Sequence, residues 1–298
     1  MLRLYWEFSR PFTLVPPMVG ILSGSLIGYA ATRAPFRILP VSLAIVAAAV
    51  LNAASNGLNQ IYDLPNDRVN KPHRPLASKR MTLRQAWWFV WVSYAVALIM
   101  TAEVNAQTFF IYLIAALATV AYSAPPLRLK RRPWVSNLTI ALTRGELLKV
   151  AGWAAVATVL DSWEPWYIGL IYFLFLMGAT TTKDFADLEG DRIAGCVTLP
   201  LKYGIEKSAR MIAPAFLAPW LVMALGVWLK VLSGNAPAIL ALSVVMLSWG
   251  AYVSILLNRN PRSLAREGEN HPSWRHMYWM MMVGHLGLAG AYLLDLVH

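Results

Sequence analysis

The chain has 298 residues, of which 58% are hydrophobic and only 14% are charged, and its mean hydropathy is +0.50. This composition excludes an ordinary soluble domain and indicates a polytopic membrane protein. The net charge of +11 would suggest nucleic-acid binding in a soluble protein. Here the basic residues lie in short loops between apolar segments and form no basic stripe, so we expect no nucleic-acid partner.

Apolar segments follow one another along the whole chain, each about as long as a helix that crosses the hydrocarbon core of a bilayer. The segments are continuous and lack the alternation of apolar and polar residues that is typical of membrane β-strands. We therefore predict an all-α protein of about nine transmembrane helices, which form a single domain over residues 1–298. The predicted helices lie near residues 12–31, 38–62, 85–102, 106–122, 136–158, 165–182, 209–230, 236–257 and 275–296.

The loops differ in their content of Lys and Arg. Basic residues concentrate in the loops after the second, fourth, sixth and eighth predicted helices, whereas the third, fifth and seventh loops carry essentially none. Cytoplasmic loops carry the excess of Lys and Arg in membrane proteins. We therefore expect a multi-pass protein of the cell membrane whose N-terminus and basic loops face the cytoplasm.

The pattern Asp-Leu-x-x-Asp-Arg occurs twice, as DLPNDR at residues 63–68 and DLEGDR at residues 187–192. The copies follow the second and the sixth predicted helix, so both are expected on the cytoplasmic side. A parallel duplication of a four-helix unit, over residues 1–135 and 136–274 with a final helix at 275–298, would place the two copies across a shared cavity.

Each copy belongs to a longer set of oxygen-bearing side chains at helical spacing. Asn59, Asp63 and Asp67 recur every four residues and would share one helical face, although Pro65 should loosen or end the helix between the two carboxylates. In the second copy Gly190 would permit a turn before the last carboxylate.

Acids this close to one another repel, and at the edge of a bilayer they are poorly solvated, so a cation is expected between them. Hard oxygen ligands of this kind favour Mg²⁺, which usually completes its coordination shell with water and substrate phosphate oxygens. The predicted Mg²⁺ ligands are Asn59, Asp63, Asp67, Asp184, Asp187 and Asp191.

Charged residues also occur inside the fifth predicted helix, where they are costly unless they face a cavity or a partner. Arg144 and Glu146 are two residues apart, a spacing that disfavours their pairing on a helix and leaves Arg144 available for an anion. Metal-binding acids, phosphate-binding cations and an apolar interior together suit a substrate with a diphosphate head and a hydrocarbon tail. Ionisation of such a substrate requires a neutralised leaving group and the exclusion of water.

Four segments resemble the UbiA superfamily of intramembrane prenyltransferases: Arg10-Pro11, NQIYDLPNDRVNKPHRPL at 59–76, YSAPPLRLK at 122–130 and DFADLEGDRIAGCVTLP at 184–200. The resemblance implies a bundle around a central cavity, Mg²⁺-dependent binding of an isoprenyl diphosphate, and transfer of the isoprenyl group to a small lipophilic acceptor in the membrane.

Position by position, the first metal motif of the family matches Asn59, Asp63 and Asp67, the second matches Asp187 and Asp191 with Asp184 as an extension, and the basic residue of the loop motif matches Lys130. Gln60 stands where many members have Asp. The predicted catalytic residues are Asp63, Asp67, Lys130, Asp187 and Asp191, and the predicted substrate-binding residues are Arg10, Asn59, Arg68, Tyr122, Arg128, Arg144 and Arg192.

The second motif looks more like members that prenylate homogentisate, chlorophyllide or glycerol phosphate lipids than like those that use 4-hydroxybenzoate, and Arg10-Pro11 leans toward the chlorophyll-synthase-like branch. Two other functions stay open. A terpene cyclase of the same superfamily would ionise the same substrate and quench the cation internally. An ion or metal transporter would use intramembrane carboxylates, which are expected near the middle of the bilayer.

Overall fold

Helices make up almost all of the protein in a computed structural model, which describes residues 2–193 and 195–296. No β-strand occurs within these ranges, as predicted. In chain order the principal helices are α1 (Leu2–Ser9), α2 (Pro11–Thr32), α3 (Ile38–Tyr62), α4 (Leu64–Asn70), α5 (Leu83–Ala102), α6 (Ala106–Ser123), α7 (133–154), α8 (Glu164–Ala186), α9 (Leu188–Ile193), α10 (Leu199–Tyr203), α11 (Ile205–Trp228), α12 (Ala236–Arg259), α13 (Pro261–Glu267) and α14 (Pro272–Leu296).

Eight helices of the described chain are long and apolar enough to cross a membrane, namely α2, α3, α5, α6, α8, α11, α12 and α14. Each corresponds to one predicted segment, with ends that differ by a few residues. The last two residues of the predicted final helix, 297 and 298, lie outside the described residues.

The fifth predicted helix, α7, carries three charged residues in its interior, away from both ends: Arg144, Glu146 and Lys149. It begins as an α-helix at Pro133–Ala141, continues as a π-helical turn at Leu142–Glu146, and resumes as an α-helix at Leu147–Ala154. The helix therefore ends four residues before the predicted limit of 158. Single π turns inside α-helices are frequent at functional sites, and this one contains Arg144.

The long helices enclose a central space. Neighbouring helices pack in the order α2, α3, α5, α6, α7, α8, α11, α12 and α14, and α14 packs again on α2. At one end α2 and α7 come together through Gly24 and Gly152, where a Cβ atom on Gly152 would lie 2.4 Å from the carbonyl oxygen of Ile21. Because only glycine permits this approach, the backbones of α2 and α7 are in direct contact at this point.

Both aspartate motifs interrupt their helices at the first aspartate. Asp63 ends α3 with φ −98° and ψ 10°, and Asp187 follows α8 with φ −102° and ψ 14°. Each residue is followed at once by a short helix, α4 or α9. The break predicted near Pro65 is thus present two residues earlier, whereas Gly190 lies within α9 and makes no separate turn. The duplication of a four-helix unit stays a prediction.

Candidate active site

A cavity of about 670 Å³ lies inside the bundle and opens at the end that carries the two aspartate motifs. The six predicted metal ligands all line it, together with Lys130. Farther in, its walls come from α2, α3, α6, α7, α8 and α14 and include apolar side chains such as Pro17, Ile140, Leu148 and Phe175. The cavity therefore has a charged mouth and a largely apolar interior.

The first motif is held by cations from two loops. The ammonium group of Lys130 forms an ion pair with Asp63 and donates a hydrogen bond of 3.0 Å to Oδ1 of Asn59. Arg128 lies 3.5 Å from the same Asp63 oxygen, and Arg74 donates to both carboxylate oxygens of Asp67 at 2.7 Å. Both carboxylates of this motif are therefore neutralised by nearby cations.

Lys71, from the loop after the first motif, reaches the second motif. Its Nζ lies 3.1 Å from Oδ1 of Asp187, and Lys183 lies 3.5 Å from the other carboxylate oxygen. Burial alone would raise the pKa of Asp187, but the two ammonium groups and their hydrogen bonds lower it below its ordinary value. The Lys71–Asp187 pair thus joins the two motifs across the cavity mouth.

Asp184 and Asp191 form no ion pair with any side chain in the described part of the chain. Burial raises the pKa of Asp191 to about 6, although the nearby charges of Lys183 and Lys130 lower it in part. Repulsion by Asp187 and Asp63 acts in the same direction as burial. These two carboxylates line the cavity without an ion-pair partner among the described residues, and a bound cation would relieve the unfavourable burial of their charge.

The other predicted residues fall into two groups. Arg10, Tyr122 and Arg144 line the cavity, and Arg128 lies behind Asp63. The structure does not bring Arg68 and Arg192 to the cavity: both side chains are exposed, and Arg192 instead lies 3.5 Å from the exposed Glu189. Glu146 points away from Arg144, because a Cβ atom on Gly169 of the neighbouring helix would lie 2.8 Å from its Cγ. No Arg144–Glu146 ion pair occurs among the described residues.

Three cations that contact the motif carboxylates were not predicted as site residues: Lys71, Arg74 and Lys183. Lys183 could have been predicted from the sequence as a partner of Asp187, because it lies four residues before Asp187 on the same helical face. Lys71 and Arg74 belong to the quoted segment at 59–76, but both follow the end of α4 at Asn70, so helical spacing does not predict which carboxylate each one contacts.

With this geometry established, comparison with known proteins is informative. The model of the UbiA prenyltransferase family matches residues 21–279. The chain belongs to this family. UbiA relatives include a chloroplastic 2-acyl-4-prenylphloroglucinol 6-prenyltransferase of Humulus lupulus, which is 28% identical over 93% of the chain. Another is a probable chloroplastic homogentisate phytyltransferase 2 of Oryza sativa subsp. japonica, which is 32% identical over 68% of the chain. The matches span 70% and 56% of these two relatives.

A solved structure of a UbiA homolog from Archaeoglobus fulgidus bound to GPP and Mg²⁺ shares the fold. The TM-score is 0.72 at 20% sequence identity, and the match covers 96% of this chain and 99% of that one. The fold is therefore that of the UbiA intramembrane enzymes.

That homolog binds Mg²⁺ together with GPP, and the carboxylates of the present chain can be compared with the needs of this ion. In the described ranges no three His, Cys, Asp or Glu side chains are grouped closely enough to hold an ion alone. Mg²⁺ is usually bound through one or two carboxylates, with water and substrate phosphate oxygens in the remaining positions. Asp184 and Asp191, which both line the cavity and form no ion pair in the described ranges, fit that requirement.

Proposed function

We propose that this UbiA-family protein transfers an isoprenyl group from an isoprenyl diphosphate to a small lipophilic acceptor within the membrane. One observation carries the proposal: both aspartate motifs and their basic partners meet at the mouth of a single cavity whose interior is largely apolar. A charged head and a hydrocarbon tail require these two environments side by side.

The basic residues at the mouth are the groups that we assign to the diphosphate. Lys71, Arg74, Lys130 and Lys183 each lie within 3.5 Å of a motif carboxylate. A bound diphosphate would form ion pairs with these cations in place of the carboxylates, since phosphate oxygens are strong acceptors of charge-assisted hydrogen bonds. Arg10, Tyr122, Arg128 and Arg144 are kept as predicted substrate-binding residues.

We assign Mg²⁺ to the carboxylates of the two motifs. Asp184 and Asp191 can bind the ion directly, because neither forms an ion pair within the described chain that metal binding would have to break. Asn59, Asp63, Asp67 and Asp187 complete the proposed set. When bound, the ion supplies neutralisation of the charge that develops on the leaving diphosphate.

The reaction that this arrangement serves begins with cleavage of the bond between the allylic carbon and the diphosphate oxygen, and the electron pair leaves with the oxygen. Lys130 and its neighbours stabilise the departing anion. The apolar walls keep water from the allylic cation. The acceptor then forms a bond to the cationic carbon and loses a proton.

For the acceptor, we propose a homogentisate-like phenol, a chlorophyllide or a glycerol phosphate lipid, in line with the second motif and with the phloroglucinol and homogentisate enzymes among the relatives. We further propose that the protein lies in the cell membrane with the cavity mouth facing the cytoplasm. The four loops at that end, 63–82, 124–132, 187–204 and 260–271, carry most of the Lys and Arg found between the long helices, whereas the loops at the opposite end carry Arg33, Arg37 and Lys230.

The test is diphosphate release from geranylgeranyl diphosphate by purified protein in lipid, with and without Mg²⁺, across a panel of these acceptors and 4-hydroxybenzoate. We expect release that requires both Mg²⁺ and one acceptor, with a prenylated product identified by mass. Release without acceptor, together with a cyclic hydrocarbon, would show a cyclase instead. Full Mg²⁺-dependent turnover by Asp63→Asn and Asp191→Asn would contradict the assignment of the site.

The transporter hypothesis finds less support in the structure. In a transporter the carboxylates are expected near the middle of the membrane, whereas Asp63 and Asp187 lie where α3 and α8 end. The acids are therefore placed for a head group at the membrane edge.

A further inference from the structure

Arg144, in the π turn of α7, lines two spaces: the central cavity and a small adjoining pocket of about 40 Å³ between α2, α3, α6 and α7. Within the described chain, neither the motif carboxylates nor the cations that pair with them line this pocket. Ser55 also lines both spaces. It lies one helical turn before Asn59 on α3, which is about 6 Å farther from the cavity mouth. Arg144 and Ser55 therefore meet deeper in the bundle than the residues assigned to the diphosphate.

The guanidinium group of Arg144 has no protein partner in the part of the chain that the structure describes: it forms neither a hydrogen bond nor an ion pair there. The other cations of the cavity wall differ, since Lys71, Arg74, Lys130 and Lys183 each pair with a motif carboxylate. A guanidinium carries five N–H donors, and a charge inside a membrane protein is unfavourable unless a partner satisfies it. A bound ligand would supply the partner that Arg144 lacks.

The polar residues that line both spaces differ in the use of their hydrogen-bond donors. The hydroxyls of Thr119 and Thr143 donate to main-chain carbonyls of their own helices at 2.8 Å. The hydroxyl of Ser55 bonds to no group of the described residues, although Ser55 is only 9% exposed. Arg144 and Ser55 are thus the two polar residues of this shared wall whose donors remain for a ligand.

This pair of donors suits an acidic group. A guanidinium binds a carboxylate or a phosphate through two parallel hydrogen bonds, and a serine hydroxyl can add a third. The diphosphate already has cations at the mouth, among them Lys130 and Lys183. The acceptor must bind beside the diphosphate, because the carbon that it attacks is bonded to a diphosphate oxygen. The wall that holds Arg144 and Ser55 is next to that position.

We propose that Arg144, together with Ser55, binds an acidic group of the acceptor, a carboxylate or a phosphate, and that the protein thereby selects acidic acceptors over neutral ones. This inference rests on the proposed function and narrows it. Homogentisate, a chlorophyllide and a glycerol phosphate lipid carry such a group, whereas an acylphloroglucinol has neither a carboxylate nor a phosphate.

The experiment measures kcat/KM for matched acceptors with purified protein in lipid, with geranylgeranyl diphosphate as the donor. One pair is homogentisate and its methyl ester, and the other is an isoprenyl glycerol phosphate and the same lipid without its phosphate. The wild type should prefer the acidic member of one pair by roughly 10-fold to 100-fold, as for a hydrogen bond to a charged group. Arg144→Gln should abolish this preference by lowering kcat/KM for the acidic member alone. The pair that responds distinguishes a carboxylate from a phosphate.

For chlorophyllide, whose carboxylate is itself the group to be prenylated, the same fall in kcat/KM in Arg144→Gln is the expected result. In every case KM for geranylgeranyl diphosphate should stay that of the wild type, because Arg144 is assigned to the acceptor. Arg144→Lys should restore only part of the preference, since lysine keeps the charge and lacks the planar fork. Ser55→Ala should reduce the preference by roughly 2-fold to 10-fold.

Glu146→Gln is the matched control. Glu146 belongs to the same π turn and lines neither space, so this change removes a charge at nearly constant size without altering the proposed site. It should leave the preference between acidic and neutral acceptors unchanged.

A preference that survives in Arg144→Gln, or that is lost instead in Arg275→Gln, would overturn this inference. Arg275 is an exposed arginine that lines the cavity from α14. A raised KM for geranylgeranyl diphosphate in Arg144→Gln would assign Arg144 to the diphosphate and overturn it as well. Wild-type turnover of neutral acceptors alone, such as an acylphloroglucinol, would overturn it and leave the proposed function intact. Absence of diphosphate release with every acceptor would contradict the proposed function itself.

Discussion

The two aspartate motifs have the same backbone and different electrostatic surroundings. In each motif the amide of the second aspartate donates to the carbonyl of the first at 2.8 Å, from Asp67 to Asp63 and from Asp191 to Asp187. In the first motif both carboxylates are paired with cations. In the second, Asp187 is paired, whereas Asp184 and Asp191 have no ion pair within the described ranges.

This difference suggests a division of roles within one repeated pattern. The first motif holds Lys130 and Arg74 at the cavity mouth, where they are ready to bind a diphosphate. The second motif leaves two carboxyl groups without an ion pair, and we assign these two groups to a metal ion. If this comparison is correct, equivalent substitutions in the two motifs should have different effects, and the following predictions are ordered by the size of those effects.

The largest effect is expected from Asp191→Asn. It removes an unneutralised carboxylate, and we expect kcat to fall roughly 10²–10³-fold, the range found when one group that stabilises developing charge is lost. The Mg²⁺ concentration for half-maximal activity should also rise, and more than it does for Asp63→Asn. Titrations of diphosphate release against Mg²⁺ measure both quantities.

Asp161→Asn is the control for that comparison, because Asp161 is an exposed carboxylate that does not line the cavity. It should behave as the wild type does. Equal changes in the Mg²⁺ requirement for Asp63→Asn and Asp191→Asn would remove the distinction between the two motifs.

The next effect concerns Lys130→Gln. This change takes away a buried cation and leaves Asp63 without its closest partner, so we expect kcat/KM for the isoprenyl diphosphate to fall by roughly 10-fold to 100-fold. The Mg²⁺ requirement should change less than it does for Asp191→Asn. Lys207→Gln, at an exposed lysine outside the cavity, should have no effect, and wild-type kinetics for Lys130→Gln would refute its role.

A smaller effect should come from pH, through the raised pKa of Asp191, which is about 6. Metal binding requires the carboxylate. Stabilisation of the protein by Mg²⁺ should therefore weaken as the pH falls through about 6.

In the metal-free protein the effect of pH on stability has the opposite sign. A carboxyl with a raised folded-state pKa binds more protons when folded, so the free energy of unfolding should decrease as the pH rises toward about 6. Melting temperatures between about pH 5 and 8, with and without Mg²⁺, test both trends. Asp191→Asn should weaken both, and curves that coincide with those of the wild type would contradict this assignment.

The smallest effect is expected from Arg68→Gln and Arg192→Gln. Both side chains are exposed and lie outside the cavity wall, and exposed ion pairs such as Arg192–Glu189 contribute about 0–1 kcal/mol. Turnover should change by less than about 2-fold, because surface substitutions usually change the free energy of unfolding by no more than about 0.5 kcal/mol. A loss as large as that of Lys130→Gln would show that these residues reach the substrate after all.

Particular residues show how far the sequence could be interpreted. Ile38–Tyr62 was predicted with the same limits that the structure has, because a long apolar segment that ends at charged residues has only one stable form in a membrane. The π turn at Leu142–Glu146 was not predicted. Arg144 and Glu146 within this turn, and Lys149 after it, marked α7 as unusual, but local propensities do not distinguish a π turn from an α-helix.

The sequence by itself determined the helical fold, the two aspartate motifs and the kind of ligand that they suit, because helix length, apolar composition and residue spacing are local properties. Only the tertiary structure decided which cation pairs with which carboxylate and which of the predicted arginines face the cavity. Lys71 and Asp187 are 116 residues apart in the chain. Their contact follows from the packing of the helices around the cavity, and spacing rules relate only residues that are close together in the sequence.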